Sequence, residues 1–237
     1  DLASGRLVIT KGGYLRGIYY SDDNGTNWVK ATNMDVDWNN IIVASNGNLY
    51  ASSGAGGAND KGVIISTDNG TSWNYLNTVL GITSSTGLFK NCNNNLYIVG
   101  DNKLFKSSDN GNIWNIIANT PAIYSSFPAY GEFVVASNGD FYYYGDSHLF
   151  YSSNQGNVWT EINSIPGNYR TIREIDGNII VCTTQGAFAK TLNNNVIYHW
   201  STGETTASIN PTPTATTTYW CDVTVNGTTC HKEITVI

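Results

Sequence analysis

Charge is what this sequence has least of. Only 13% of its 237 residues are Asp, Glu, Lys or Arg, about half the share usual in a soluble domain. The balance is acidic, with a net charge of −6. A nucleic-acid partner needs clustered Lys and Arg to neutralise phosphates, and docking on anionic lipid needs the same; neither partner is expected. No apolar run approaches the ~18 residues of a membrane-crossing helix, so no membrane insertion is expected. Methionine occurs once, and no ten-residue window repeats apolar residues with a helical period. The first residues, Asp1-Leu2-Ala3-Ser4-Gly5-Arg6, carry neither a basic nor an apolar leader. The expectation is a signal peptide already removed, or a piece of a longer product.

Cysteine and histidine are scarce as well, with four and three residues. No Cys-x-x-Cys pair occurs, so neither a zinc site nor any other metal or cofactor is expected. An even number of cysteines in a chain of secreted character permits disulfides, and a buried free thiol is the other reading of Cys92.

What fills the chain instead is Asn, Ser, Thr, Tyr and Gly. Thr and Tyr suit a pleated surface, while Gly and Asn accept the positive φ that tight turns demand. These residues are arranged in a repeat. Four segments read Ser-x-Asp-x-Gly-x-x-Trp, with Asn for Asp in the last: Ser21, Asp23, Gly25, Trp28; Ser66, Asp68, Gly70, Trp73; Ser107, Asp109, Gly111, Trp114; and Ser152, Asn154, Gly156, Trp159. A worn fifth copy runs from Thr191 to Tyr198, with Asn195 in place of the glycine. The copies recur about every 39–45 residues. Short apolar strands flank each one, and a strand–turn–strand unit separates them, as in IIVASNGNLYASS and FVVASNGDFYYYG, where Asn-Gly marks a tight hairpin. About four short strands per period is the count of one propeller blade. The Ser and Asp side chains are expected to bond amides within the turn, the Gly to supply positive φ, and the Trp to anchor the turn on neighbouring strands.

These segments resemble the Asp-box (BNR) repeats of sialidases, sortilin-type receptors, xyloglucan-cleaving glycosidases and a photosystem assembly factor. The resemblance implies an all-β fold of β-propeller blades and a structural role for the box residues at the blade periphery. It covers roughly residues 5–198, and the blades are expected over 1–175, or to 198 in the longer reading. Four clear copies and a partial fifth leave three arrangements open: a five-bladed ring, a fragment of a larger ring, or an arc completed by a partner. After Trp200 the chain turns Thr-rich, with the bend Pro211-Thr212-Pro213 and the turn Asn226-Gly227. This part resembles the Ig-like or PKD-like modules of secreted Bacteroidetes proteins, which implies a C-terminal Ig-like β-sandwich over 176–237. The order Cys182, Trp200, Tyr219, Cys221 echoes an immunoglobulin core. It implies a disulfide from Cys182 to Cys221 or to Cys230.

Catalytic sets are hard to find. The four arginines, Arg6, Arg16, Arg170 and Arg173, lie outside any sialidase context. The glutamates Glu132, Glu161, Glu174, Glu204 and Glu233 fall on unrelated repeat positions, whereas glycoside hydrolysis needs two facing carboxylates. Asp35 and Asp37 beside Trp38 are the ligand-contact candidates, an aromatic next to acids being suited to sugar stacking. Tyr142-Tyr143-Tyr144 places rings on both faces of one strand, for packing or for binding. The chain is therefore expected to be a non-catalytic extracellular or cell-surface protein. Its roles would be adhesion, glycan recognition or a place in an extracellular assembly, with a glycan or protein ligand or self-association into a homo-oligomer. A propeller glycosidase, or a fragment of one, is the rival reading.

Overall fold

Alternating apolar and polar residues between turn signals predict strands, and strands are what forms. In the computed structural model, which describes residues 5–11, 16–31, 38, 40–53, 62–76, 80–82, 85–91, 93–121, 132–145, 148–192, 196–225 and 228–237, six antiparallel sheets follow one another along the chain. Sheet I holds β1 (Leu7–Lys11), β2 (Gly17–Ser21) and β3 (Val29–Lys30). Sheet II holds β4 (Asn40–Val43), β5 (Leu49–Ser53), β6 (Gly62–Ser66) and β7 (Asn74–Tyr75). Sheet III holds β8 (Ser85–Lys90), β9 (Leu96–Gly100), β10 (Lys103–Ser107) and β11 (Asn115–Asn119). Sheet IV holds β12 (Glu132–Val135), β13 (Phe141–Gly145), β14 (His148–Ser152) and β15 (Thr160–Glu161). Sheet V holds β16 (Tyr169–Ile175), β17 (Asn178–Thr183) and β18 (Gly186–Thr191), and sheet VI holds β19 (Val196–Trp200), β20 (Thr217–Val225) and β21 (Thr228–Val236). Within every sheet each strand pairs with its neighbours in sequence. The arrangement is propeller-like.

Strand side chains alternate between faces, and here each face meets a different neighbouring sheet. Leu49 and Ala51 of β5 pack with Ile18 of sheet I, whereas Tyr50 packs with Leu88, Leu96 and Ile98 of sheet III. Tyr97 and Val99 of β9 turn the other way, onto Phe133, Phe141 and Tyr143 of sheet IV. Tyr142 and Tyr144 of β13 then meet Ile172, Ile179 and Val181 of sheet V. Four apolar layers thus glue five sheets in series. Each fully buried aromatic or aliphatic side chain in them contributes about 1.5–3 kcal/mol. The tyrosine triplet is part of this glue: Tyr142 and Tyr143 are 1% exposed, which resolves it as packing.

The four Ser-x-Asp turns connect the last two strands of sheets I to IV, away from the first strands. Their bonds are the expected ones. In the second copy Ser66 Oγ accepts Gly70 N at 2.9 Å and donates to Asp68 Oδ1 at 2.8 Å, and Asp68 Oδ1 accepts Ser72 N at 2.9 Å. Sequence reasoning missed that the residue before the glycine is also left-handed: Asn24, Asn69, Asn110 and Gln155 have φ between 55° and 58°. Three of the four are Asn, the side chain that tolerates this region best after glycine.

The tryptophans of the second, third and fourth turns pack back on the preceding sheet. Trp73 joins the layer with Ile18. Trp114 meets Tyr50 edge-on at 6.1 Å. Trp159 lies against Phe141 and Tyr143 and donates Nε1 to Asn119 O of sheet III at 2.9 Å, where the other three donate to the glycine carbonyl of their own turn. Trp28 of sheet I, with no sheet before it among the described residues, is 38% exposed.

The Asn-Gly hairpins differ in one detail from a two-residue turn. Gly47 N bonds Ala44 O at 3.0 Å and Ala44 N bonds Asn48 O at 2.8 Å, and of the pair Asn46-Gly47 only Gly47 has positive φ. This is a three-residue loop ending in a left-handed glycine, and Ala136–Asp140 repeats it.

Three features of the C-terminal region bear on the expected division, module and disulfide. The division at 175/176 falls in the turn between β16 and β17, which pair from Tyr169↔Thr183 to Ile175↔Asn178. Residues after Trp200 form one three-stranded sheet with β19, and no second sheet facing it is found among the described residues. The Cys182 disulfide is not formed: Cys182 and Cys221 are free thiols. They stand on different sheets, Cys182 between Thr171 and Ala187, Cys221 between Trp200 and Lys232. Cys230 is disulfide-bonded, and neither free thiol is its partner.

Gly111 gives a stability test. It has φ +86°, and a Cβ there would stand 2.0 Å from Tyr50 Oη, itself bonded to Asn110 O at 2.8 Å. Gly47 has φ +85° with nothing within 4 Å. Gly47→Ala should cost about 1–2 kcal/mol, the backbone penalty alone. Gly111→Ala should cost a further ~1–3 kcal/mol from overpacking. Urea unfolding of both variants measures the difference.

Candidate functional site

The first strands of sheets II to V, namely β4, β8, β12 and β16, lie side by side, and a cleft of about 770 Å³ opens on them. That volume is in the range of small-molecule sites. Side-chain bonds hold its walls. Asn40 Nδ2 donates to Leu88 O at 2.7 Å, tying β4 to β8. Glu132 Oε2 accepts Thr171 Oγ1 at 2.8 Å, Ile172 N at 2.8 Å and Arg173 Nη1 at 2.7 Å, tying β12 to β16. Glu174 accepts Ser137 N at 2.7 Å and the Ser137 hydroxyl, tying the same two sheets at the other end of the strands. Glu132 thus holds donors from the neighbouring strand β16, and Glu174 holds donors from the loop between β12 and β13. Further around the wall stand Lys90 at the end of β8, Lys106 on β10, Phe89, Asn95, Gln155 and Cys230.

Of the ligand-contact residues expected from sequence, only Trp38 is among the described residues, and it lies away from the cleft. Asp35 and Asp37 fall outside the described residues. Trp38 is 4% exposed, packed with Ile18, Leu49 and Trp73. Its indole Nε1 has no hydrogen-bond partner among the described residues, and its ring offers no face to a ligand. The box residues form the turns already described, and of those turns only the fourth reaches the cleft, through Gln155. Sequence reasoning noticed Glu132, Glu174 and Arg173 but gave them no place, and it missed Lys90 and Lys106. No repeat signal was there to find them. The repeat records the frame that every sheet shares, and the cleft is built from what differs between first strands. Among the described residues no group of three His, Cys, Asp or Glu side chains is arranged to hold a metal ion.

Comparison with known proteins places the chain by its fold. A family model described as the DUF6242 β-propeller domain matches residues 92–229, more than half of the chain and across sheets III to VI. No curated protein matches it in sequence. Among solved structures it resembles PorZ, a bacterial surface component of the type-IX secretion system of Porphyromonas gingivalis, with a TM-score of 0.57 and 13% identity over 99% of this chain and 44% of that one. It also resembles the extracellular domain of a protein described as the hybrid two-component system BT3049 of B. thetaiotaomicron, with a TM-score of 0.59 and 11% identity over 96% and 35% of the two chains. A streptogramin B lyase shares the fold too, with a TM-score of 0.52 and 13% identity over 100% and 82%. The chain therefore spans less than half of the first two structures.

The box turns predict an acid response. Asn27 N–H, the Asn27 side chain and Ser21 hold the Asp23 carboxyl at about 2, below its ordinary 3.8. The Ile113 N–H and Ser107 lower Asp109 in the same way. A carboxylate whose folded pKa is depressed stabilises the fold above its unfolded pKa and loses that effect as pH falls through the folded value. The melting temperature should drop between about pH 4 and pH 2. Asp23→Asn should flatten part of that drop, because Asn154 already makes the equivalent bonds without a charge, its Oδ1 accepting Val158 N at 2.9 Å. Identical pH profiles for wild type and variant would contradict the assignment.

Proposed function

The chain belongs to the DUF6242 β-propeller domain family, and from that premise we propose that it is a non-catalytic, extracellular binding module of a bacterial surface protein, with the first-strand cleft as its ligand site. The observation that carries this reading is the state of the cleft carboxylates. Glycoside hydrolysis asks one carboxyl to give a proton and another to attack or to activate water. Glu132 and Glu174 each accept bonds from the adjacent sheet, a role that fixes them as clamps. The remaining wall of lysine, carboxamide and a partly exposed phenylalanine suits recognition of a polar ligand such as a glycan.

The surface location is supported by the company the fold keeps, a surface component of a secretion system and the extracellular domain of a hybrid two-component system. The finer Asp-box identity is supported by four turns sharing one bonding frame. The lyase relative keeps an enzymatic reading alive for the fold in general.

The purified chain should bind soluble oligosaccharides in titration calorimetry and release no new reducing ends from them over a day's incubation. Release of reducing ends that stops in Glu132→Gln or Glu174→Gln would make the glycosidase reading the correct one.

A further inference from the structure

The chain is acidic as a whole, with 18 carboxylates against 12 Lys and Arg. Its cleft reverses that sign: Lys90, Lys106 and Arg173 stand on the wall against Glu132 and Glu174. The carboxylates are also the better satisfied group. Glu132 is paired with Arg173 at 2.7 Å and holds two further donors, and Glu174 is capped by Ser137. Lys90 and Lys106 are both partly buried, and neither has a carboxylate partner among the described residues. Lys106 Nζ lies 5.9 Å from the Tyr97 ring centroid.

Two partly buried ammonium groups without counter-ions among the described residues, on the wall of a cleft in a protein of opposite net charge, are expected to attract an anion. Salt screens such groups less than it screens fully exposed ones, and a concave site concentrates their field. The rest of the wall is not that of a site for a bare ion. Phe89 lines it with a half-buried ring, and Asn95 and Gln155 add carboxamides. A ring face beside amides suits the C–H face and hydroxyls of a sugar.

Resting on the binding reading above, we infer that the cleft selects an anionic saccharide, whose acidic groups are met by Lys90 and Lys106. Carboxylate and sulfate are the two sources of that charge.

The test is calorimetric titration of the chain with three tetrasaccharides: galacturonic acid, a sulfated neutral sugar and an uncharged sugar. Each is run against wild type and Lys90→Gln/Lys106→Gln, at low and at high sodium chloride. The expected result is that one of the acidic probes binds, and that its affinity falls about tenfold or more both in the variant and with added salt. Which acidic probe binds identifies the charge as carboxylate or sulfate. The melting temperature of the variant should match wild type, since neither lysine side chain makes a hydrogen bond or ion pair among the described residues. Equal binding of the uncharged probe, unmoved by the variant, would overturn the anionic inference and leave the binding module standing. Binding of none of the three would overturn both.

Discussion

A sheet of three or four short strands cannot bury a core by itself, and everything in this molecule answers to that constraint. Both faces of sheets II, III and IV must be covered, so each sheet needs a neighbour on either side. Strand alternation supplies the means, with odd positions of β9 and β13 going to one neighbour and even positions to the other. The aromatic content follows from the same demand. Tyr50, Phe133, Phe141, Tyr142 and Tyr143 are large enough to span the gap between splayed sheets, and their rings meet at 5.2–6.5 Å in tilted, edge-on or stacked pairs.

Packing of this kind is tolerant of sliding, and the polar contacts between sheets remove that freedom. Arg6 donates to Asp22 of its own sheet at 2.6 Å and to Thr71 of the next sheet at 2.7 Å. Asn110 accepts Tyr50 Oη and Ser45 N across the sheet II–III boundary. Glu132 and Glu174 do the same between sheets IV and V. The clamps therefore have a consequence for chemistry. The carboxylates that fix the wall of the cleft are held by donors from the neighbouring sheet, and the lysines beside them have no carboxylate partner among the described residues.

The frame was legible in the sequence because it repeats. Ser66, Asp68, Gly70 and Trp73 announce their turn through three other copies, and the hydrogen bonds that form are the ones the residue types predict. The cleft was not legible, because it has no copies. Lys90 ends the first strand of sheet III, and the matching positions of sheets II and IV carry no lysine. Trp38 misled for a physical reason as well: an aromatic beside two acids reads like a sugar site in one dimension, yet its ring is drawn into the layer between sheets I and II. The cysteine pattern misled through spacing. Tyr219-x-Cys221 resembles an immunoglobulin corner in sequence, but β17 and β20 belong to different sheets and their thiols stay free.

The claim that sheet-to-sheet packing holds this fold is tested most directly by native-state hydrogen exchange. The strands buried on both faces, β9 and β13, should exchange only through global unfolding, with protection equal to the full stability. The two-residue strands β3, β7 and β15 and the solvent-facing strands of sheet VI should open at lower free energy. Protection of β9 and β13 no greater than that of β3, β7 and β15 would mean that the apolar layers are not what keeps the sheets together, and the account would fail.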